Sequence, residues 1–152
     1  MSAGSASEPI AKAAAVCYQS LEGSLRFLLV RSHGGGWIFP KGSLEPGEQL
    51  WQTAQREAFE EAGVQGVIDP ACLTTFTHLK RISAVAAVEQ PVAAFLLQVR
   101  QVQPTAETIR LPQWFTQPEA RRALELNRPP AYAAEYQRVL DLAVQRLTQG
   151  AQ

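Results

Sequence analysis

The chain has 152 residues, of which 46% are hydrophobic, and its 14 basic residues balance its 14 acidic ones. This length suits a single domain with a proper core, and the neutral balance argues against a global basic surface for bulk nucleic-acid binding. No apolar stretch is long enough to cross a bilayer and no secretory signal is present, so we expect a cytoplasmic protein without a membrane partner.

The N-terminal part predicts a tail followed by two strands. Residues 1–9, rich in Ser, Ala and Gly, predict a flexible tail, and we place a single domain over residues 10–150. Residues 13–18 and 25–31 predict strands joined by a turn at residues 22–24. The first strand is ambiguous, because its alanines favour a helix by propensity alone.

The middle of the chain combines helix and strand patterns. Residues 49–62 predict a helix that Gly63 ends as a left-handed cap residue. Residues 64–77 and 92–102 predict further strands, and residues 92–97 are apolar enough to be buried on both faces.

One apolar run and the two cysteines also need an interpretation. The run ISAVAAV at residues 82–88 predicts a buried strand extension, with an exposed patch for a dimer contact as the alternative. A monomer and a homodimer are therefore both open. Cys17 and Cys72 are far apart in apolar runs, which predicts buried, reduced thiols rather than a disulfide or a metal pair.

The C-terminal part predicts two helices. Thr116 begins the first, with Glu119 completing a capping box, and Pro129 and Pro130 open the second. The second helix has one apolar face, formed by Tyr132, Tyr136, Val139, Leu140, Ala143 and Leu147.

The predicted helix at residues 49–62 carries a cluster of acidic side chains. Glu57, Glu60 and Glu61 share an arc about 100° wide on a helix of 3.6 residues per turn. The arc borders an apolar stripe formed by Leu50, Ala54, Ala58 and Ala62. The acids therefore lie at the edge of the buried face, where a groove would form.

This cluster has few basic neighbours on its own helix. Like charges one turn apart are destabilising, and no basic residue lies four positions beyond any of the three glutamates. Only Arg56 is close, and the spacing places it beside Glu60 alone. A solvated acidic face is the alternative, but unpaired acids at this spacing favour a bound cation. Carboxylate and carbonyl oxygens suit Mg²⁺, with Mn²⁺ as a substitute, whereas zinc is disfavoured because no Cys or His pair has ligand spacing.

The segment from Gly42 to Val64 has the form G-x5-E-x7-R-E-U-x-E-E-x-G-U, where U is apolar. Its defined positions are Gly42, Glu48, Arg56, Glu57, Glu60, Glu61 and Gly63. This segment resembles the signature of the Nudix hydrolases at every defined position, although Ala58 is small for its apolar slot. The resemblance implies a fold of the α/β class, namely an α/β/α sandwich with a mixed sheet. The predicted order of strands and helices fits this fold.

The resemblance also implies a metal-dependent enzyme that hydrolyses a diphosphate bond. The metal ligands it implies are Glu57, Glu60, Glu61 and the backbone carbonyl of Gly42. Arg56 would orient the acids through Glu48. Divalent ions would neutralise the substrate oxygens and lower the pKa of a water molecule, and in-line attack at phosphorus would follow. Either Glu57 or Glu60 would accept the proton of that water.

Residues 37–42, WIFPKG, follow three glycines at residues 34–36 that predict a mobile turn. This form is similar to that of Nudix relatives acting on diadenosine polyphosphates or diphosphoinositol polyphosphates, and of the messenger-RNA decapping enzymes. Lys41 would then place a cation at the mouth of the metal site. The alternative is an exposed loop lysine.

Candidate substrate contacts occur after a predicted strand. His78, Lys80 and Arg81 could bind phosphates or a base, or could be ordinary solvated positions at a strand end. Residues 79–83 contain neither the tyrosine nor the proline that can mark dinucleoside polyphosphate or ADP-ribose specificity in Nudix relatives.

Four other residues have weaker claims. Trp114 and Phe115 could stack on a base, although a core position is the favoured interpretation. Glu89 or Glu107 could supply the extra metal ligand that some relatives use.

The sequence supports three functional hypotheses. The first is hydrolysis of a diphosphate linkage in a phosphate-rich small molecule, a dinucleoside polyphosphate or a diphosphoinositol polyphosphate. The second keeps this chemistry on ADP-ribose, a nucleoside triphosphate or a 5′-capped or triphosphorylated RNA end, the one nucleic-acid partner left open. The third is a catalytically silent Nudix-fold binding module, which the intact glutamates disfavour.

Overall fold

The computed structural model describes residues 9–105 and 107–149. Within these residues the strands are β1 (Lys12–Leu21), β2 (Ser24–Arg31), β3 (Trp37–Ile38), β4 (Lys41–Ser43), β5 (Val64–Ile68), β6 (Thr74–Arg81), β7 (Ala87–Val102) and β8 (Gln113–Thr116). The α-helices are α1 (Leu50–Ala62), α2 (Gln117–Glu125) and α3 (Pro130–Gln149), and a 3₁₀ helix spans Thr108–Arg110. The predicted tail at residues 1–9 lies outside the described residues except for Pro9, as does residue 150.

The eight strands form one mixed sheet. Its main path runs β3-β2-β1-β7-β5, while β4 pairs with β1, β6 with β7 and β8 with β2. β1 and β7 are parallel, and the other pairings are antiparallel. Helix α1 packs on β1, β4, β5 and β7, whereas α2 packs on β2 and β8, and α3 on β6 and α2. This arrangement confirms the predicted α/β/α sandwich.

The centre of the sheet explains why an alanine-rich segment forms a strand. Residues 13–16 of β1 are fully buried and pair with β7, whose residues 92–97 are also buried. Burial on both faces of the sheet outweighs the helical preference of alanine. The small side chains of β1 also leave room for α1 to lie close to the sheet.

The ends of the helices agree with the capping signals in the sequence. Gly63 adopts a left-handed conformation, with a φ of 69°, and donates its N–H to the carbonyl of Phe59 at 2.9 Å. Thr116 and Glu119 form the predicted capping box at the start of α2. No helix in the described residues is long and apolar enough to span a bilayer.

One predicted strand is two strands in the structure. The segment 64–77 breaks between β5 and β6, and Asp69 accepts a hydrogen bond from the backbone N–H of Ala71 at 2.9 Å. Pro70 lies inside this turn, where its missing N–H is harmless. β6 extends to Arg81 through its pairing with β7, so His78, Lys80 and Arg81 lie within a strand rather than after one.

Two burial predictions are wrong. Residues 82–88 are exposed, with Val85 at 95% and Ile82 at 59%, because the β6–β7 hairpin extends beyond the pairing of β7 with β1 and its tip is not covered by the residues that the structure describes. Cys17 is buried as predicted, but Cys72 is exposed because it follows the turn after β5 rather than lying in a strand.

Candidate active site

The start of β4 and one face of α1 converge closely. A Cβ atom built on Gly42 would lie 2.0 Å from Oε2 of Glu57, so the carboxylate of Glu57 occupies the space that any side chain at residue 42 would need. Gly42 does not have a positive φ, so its importance is steric. Glu61 accepts a hydrogen bond from the backbone N–H of Lys41 at 3.3 Å.

Arg56 holds the outer side of this site together. Its Nε donates to Glu48 at 2.6 Å and its Nη2 donates to the same carboxylate at 3.1 Å, a bidentate pair. Nη2 also donates to the carbonyl of Ser43 at 2.9 Å, while Nη1 donates to Glu57 at 3.0 Å and to Glu60 at 3.3 Å. The expectation that Arg56 neighbours Glu60 alone is therefore wrong, because its long side chain spans both positions.

The inner acids lie in a very different environment. Burial raises the pKa of Glu61 and of Glu57, and the charge of Glu57 raises the pKa of Glu61 further. Arg110, from the 3₁₀ helix, lies 3.6 Å from Glu61 and opposes the rise in its pKa. Glu61 therefore has a basic neighbour that the pattern of its own helix does not reveal.

Glu60 lies apart from this pair. Its side chain is 47% exposed and contacts Arg56. In the described part of the chain no three His, Cys, Asp or Glu side chains form a complete metal-ligand group. The donor set nevertheless fits a hard divalent ion, because it is all oxygen and because a cation would relieve the repulsion between the buried Glu61 and the partly buried Glu57.

A cavity of about 670 Å³ opens beside Gly42. Six basic residues line it: Lys12, Lys41, Lys80, Arg81, Arg110 and Arg128. No acidic residue is among the described residues of its lining. The chain has no net charge, yet this cavity concentrates positive charge next to the carboxylates of α1.

The six cations differ in how they are paired. Arg110 contacts Glu61 and Glu107, and Arg128 donates to the backbone carbonyls of Leu124 and Trp37. The other four, Lys12, Lys41, Lys80 and Arg81, make no ion pair with the residues that the structure describes. Burial, assisted by the charge of Lys12, lowers the pKa of Lys41 to about 8. These unpaired cations are suited to several phosphate groups at once.

The NUDIX domain profile matches residues 10–136 of the chain. The chain belongs to the Nudix family. It is 30% identical over 137 residues to diphosphoinositol polyphosphate phosphohydrolase 2 of Mus musculus, a match that covers 86% of this chain and 70% of the relative. It is 43% identical over 51 residues to the asymmetrical bis(5'-nucleosyl)-tetraphosphatase of Caenorhabditis elegans, covering 32% of this chain and 37% of that protein's length.

The Nudix fold is also found in the solved structures that this chain resembles. A crystal structure of a C. elegans Ap4A hydrolase binary complex superposes with a TM-score of 0.68 and 23% sequence identity, covering 93% of this chain and 99% of the other. At this level of identity the likeness establishes the shared fold.

The structure brings most of the predicted residues of this Nudix domain to one place. Gly42, Glu57 and Glu61 meet at the junction of β4 and α1, while Lys41, His78, Lys80 and Arg81 line the adjoining cavity. The weaker candidates lie elsewhere. Glu89 accepts a hydrogen bond from Tyr132 at 2.6 Å, and Glu107 is held by Arg110. Phe115 is buried and packs its ring against Trp37 at 5.0 Å, as a core residue would.

Sequence reasoning missed three basic residues of this cavity, Lys12, Arg110 and Arg128. They come from β1, the 3₁₀ helix and the α2–α3 loop of the Nudix domain. None belongs to a local motif, so only the pairing of β1 with β4 and the packing of α3 reveal their positions. Asparagine is enriched in the left-handed conformation, and Asn127 adopts it with a φ of 57°, so this residue type is a sequence signal for the tight loop before α3.

Proposed function

We propose that this chain is a metal-dependent diphosphohydrolase acting on a phosphate-rich small molecule. The observation that carries the proposal is that two sites of opposite charge adjoin: the buried Glu61 and partly buried Glu57 on α1, and a cavity with unpaired cations beside them. A diphosphate is the kind of ligand that needs both, because its oxygens require neutralisation and its phosphorus must be open to water.

The residues that would hold the metal are Glu57, Glu60, Glu61 and the backbone carbonyl of Gly42. Glu60 needs only to leave Arg56, since residues three and four apart on a helix can converge on one point. Mg²⁺ fits this oxygen set, and Mn²⁺ is a plausible substitute. When bound, such an ion supplies charge neutralisation and a more acidic water.

The other residues of the site would bind, orient and move a proton. Lys41, Lys80 and Arg81, with His78, would hold the phosphate oxygens on the cavity wall. The water oxygen would form a bond to phosphorus as the bond from phosphorus to the bridging oxygen breaks, and Glu57 or Glu60 would accept the proton of the water. Arg56 would position Glu57 directly and anchor Glu48 on the loop before α1.

A dinucleoside polyphosphate or a diphosphoinositol polyphosphate is the favoured substrate class. The two relatives described above are named for these activities, and both molecules carry several phosphates in a row or in a cluster. ADP-ribose, a nucleoside triphosphate and a 5′-capped or triphosphorylated RNA end are the alternatives. We further propose one domain over residues 10–150, a cytoplasmic location, and a monomer or a homodimer.

A substrate panel tests this function. The panel contains diadenosine tetraphosphate, a diphosphoinositol polyphosphate, ADP-ribose, a nucleoside triphosphate and a 5′-triphosphorylated RNA, each with Mg²⁺ and with Mg²⁺ plus chelator. We expect chelator-sensitive product release from one of the first two compounds, well above the others. Turnover that the chelator does not affect would refute the metal-dependent mechanism.

The metal site is tested separately by Glu60→Gln, with Glu22→Gln as a matched control on an exposed turn. We expect Glu60→Gln to lose Mn²⁺ affinity, measured by calorimetry, together with turnover, while its melting temperature stays within a few degrees. The control should match the parent protein in both. If the parent binds metal but hydrolyses nothing in the panel, the binding-module hypothesis becomes the better one.

A further inference from the structure

A histidine and a buried tyrosine form a hydrogen-bonded pair in the wall of the cavity. The hydroxyl of Tyr136 lies 2.8 Å from Nδ1 of His78. Tyr136 is fully buried, and its ring stacks on Phe39 at 5.5 Å and meets Phe76 edge-on at 5.0 Å. The guanidinium of Arg128 lies 4.0 Å from the ring centroid on a face of the same ring. The tyrosine is therefore held on several sides, and His78 is the residue it supports.

The surroundings of Tyr136 decide which atom donates in this pair. Burial raises the pKa of Tyr136, so its hydroxyl keeps its proton. His78 is the one hydrogen-bond partner of that hydroxyl among the described residues. A buried hydroxyl that does not donate is costly. Tyr136 therefore donates to Nδ1, and a neutral His78 must carry its own proton on Nε2.

The charges around His78 keep its ring neutral. Burial, together with the nearby cations Lys41, Arg128, Lys12 and Lys80, lowers the pKa of His78 to about 3. Protonation would add a fifth positive charge to this group and would turn Nδ1 into a donor facing the tyrosine proton. Both effects disfavour the imidazolium.

Nε2 of His78 is available to a ligand. His78 lines the cavity, and its ring makes no second hydrogen bond with the described residues. Among the described residues, Gln90 Oε1 is the one side-chain polar atom that is buried and lacks a hydrogen-bond partner. Nε2 of His78 also lacks a partner but is not such an atom, so it is accessible from the cavity. The N–H on Nε2 is thus a fixed donor that faces a cavity rich in positive charge.

We propose that His78 binds a phosphate oxygen of the substrate as a neutral Nε2–H donor, and that Tyr136 is the positioning residue that fixes this tautomer. The proposal rests on the proposed function, because it assumes a phosphate-rich ligand. A phosphate oxygen is favoured over a base because four cations surround His78 and attract an anionic acceptor. The lysines attract phosphate from any direction, whereas a fixed N–H selects one orientation of the chain of phosphates.

The tautomer can be tested without any enzymatic activity. The chain contains two histidines, so ¹⁵N labelling of histidine gives a spectrum of two rings, and His33→Gln assigns them. We expect His78 to show a protonated Nε2 and an unprotonated Nδ1 from pH 5 to pH 8. In Tyr136→Phe, which keeps the aromatic packing, the His78 signals should shift toward a mixture of tautomers. A protonated Nδ1 or an imidazolium at pH 7 in the parent protein would overturn the proposal.

The ligand is tested on the same signals with inorganic tripolyphosphate and with adenosine as probes. We expect tripolyphosphate to shift the Nε2–H resonance of His78 and adenosine to leave it unchanged. The reverse result would assign His78 to base recognition and contradict the phosphate assignment. Because neither probe needs to be hydrolysed, this outcome stands even if the proposed catalytic function fails.

Steady-state kinetics with a substrate that is turned over completes the test. His78→Gln retains an amide N–H that can reach the position of Nε2, so its KM should stay within about twofold of the parent value. His78→Leu should raise KM about fivefold to tenfold, as expected for one lost hydrogen bond, with little change in kcat. An unchanged KM in a folded His78→Leu would overturn the role of His78 in binding.

Discussion

The carboxylate of Glu48, just before helix α1, and those of Glu57 and Glu61, on the helix, have opposite surroundings. Glu48, on the loop before the helix, receives hydrogen bonds from Arg56, from Thr53 and from the backbone N–H of Glu45, and these contacts, Arg56 foremost, lower its pKa to about 2. Glu57 and Glu61, on the inner face, have raised pKa values because burial disfavours their charged forms.

The difference separates an anchor from a reactive site. The anchor, defined here as Glu48 with Arg56 and Thr53, satisfies its charges and holds the loop on the helix. The inner pair, Glu57 and Glu61, has partners too, but burial raises its pKa values, as expected where charges are kept for a ligand. Mutations in the inner pair should therefore affect activity more than stability, and mutations in the anchor should do the opposite.

The largest expected effect is the loss of activity in Glu57→Gln. The amide keeps the size of the side chain beside Gly42 but can neither bind a cation as a carboxylate does nor accept a proton from water. We expect turnover to fall by about 10²–10⁴-fold, the range for a lost acid–base group. Because burial disfavours the charged form of Glu57 and the amide can still accept the hydrogen bond from Arg56, the melting temperature should stay the same or rise.

Activity and stability are measured separately, by phosphate release and by thermal unfolding. Both measurements are made on Glu57→Gln and on the exposed control Glu22→Gln. The control should match the parent protein in both measurements. A large fall in melting temperature for Glu57→Gln would show that the inner pair is structural, and the comparison with the anchor would fail.

Arg56→Lys is the exception among the anchor residues and should reduce both properties, because Arg56 also donates a hydrogen bond to Glu57 of the inner pair. Lysine keeps the charge but cannot contact Glu48 in a bidentate manner while reaching Ser43 and Glu57. We expect a loss of about 1–3 kcal/mol in unfolding free energy from the broken charged hydrogen bonds, and a fall in turnover of about tenfold from a misplaced Glu57.

Urea unfolding and kcat measurements on Arg56→Lys check this result, with Arg146→Lys as a control near the exposed end of α3. Full stability combined with lost activity would mean that Arg56 acts on the inner pair alone.

Local patterns were enough to predict most of the strands and helices, including the acidic helix, whereas the sandwich fold came from the resemblance to the Nudix signature. The spacing of the glutamates, the cap at Gly63 and the capping box at Thr116 each depend on residues within a few positions, and the structure confirms the cap and the capping box and places all three glutamates on α1. The error at residues 82–88 has a physical origin. Apolar composition predicts burial only if something covers the segment, and that depends on where the hairpin ends relative to the sheet.

The composition of the cavity could not be predicted in the same way. Lys12 reaches it because β1 pairs with β4, and Arg110 reaches Glu61 across nearly 50 positions of the chain. The support of His78 by Tyr136 depends on α3 packing against β6. Such contacts between distant segments leave no periodic signal in a single sequence.

The free energy of unfolding at acid pH should distinguish Glu48 from the inner pair. A carboxyl whose pKa is lowered on folding stabilises the protein above its ordinary pKa of 4.5, and this stabilisation is lost as the pH falls toward its folded pKa of about 2. The free energy of unfolding of Glu48→Gln should therefore be below that of the parent at pH 7, and the two should converge as the pH falls from 4.5 toward 2.

Urea unfolding at several pH values measures this convergence, with Glu125→Gln, an exposed glutamate on α2, as the control. A constant difference between Glu48→Gln and the parent at every pH would mean that the charge of Glu48 does not contribute to the anchor.

The smallest expected effect is that of Thr53→Val, which changes the anchor alone. Thr53 is fully buried, and its hydroxyl donates to Glu48 at 2.7 Å. Valine has nearly the same shape, and Glu48 keeps its bonds to Arg56, so we expect a loss of about 1 kcal/mol in unfolding free energy with turnover within twofold of the parent. Thr148→Val, near the exposed end of α3, should change stability by less than about 0.5 kcal/mol. If Thr53→Val lowers turnover without lowering stability, then Glu48 acts on the inner pair through Arg56, and the division between anchor and reactive site does not hold.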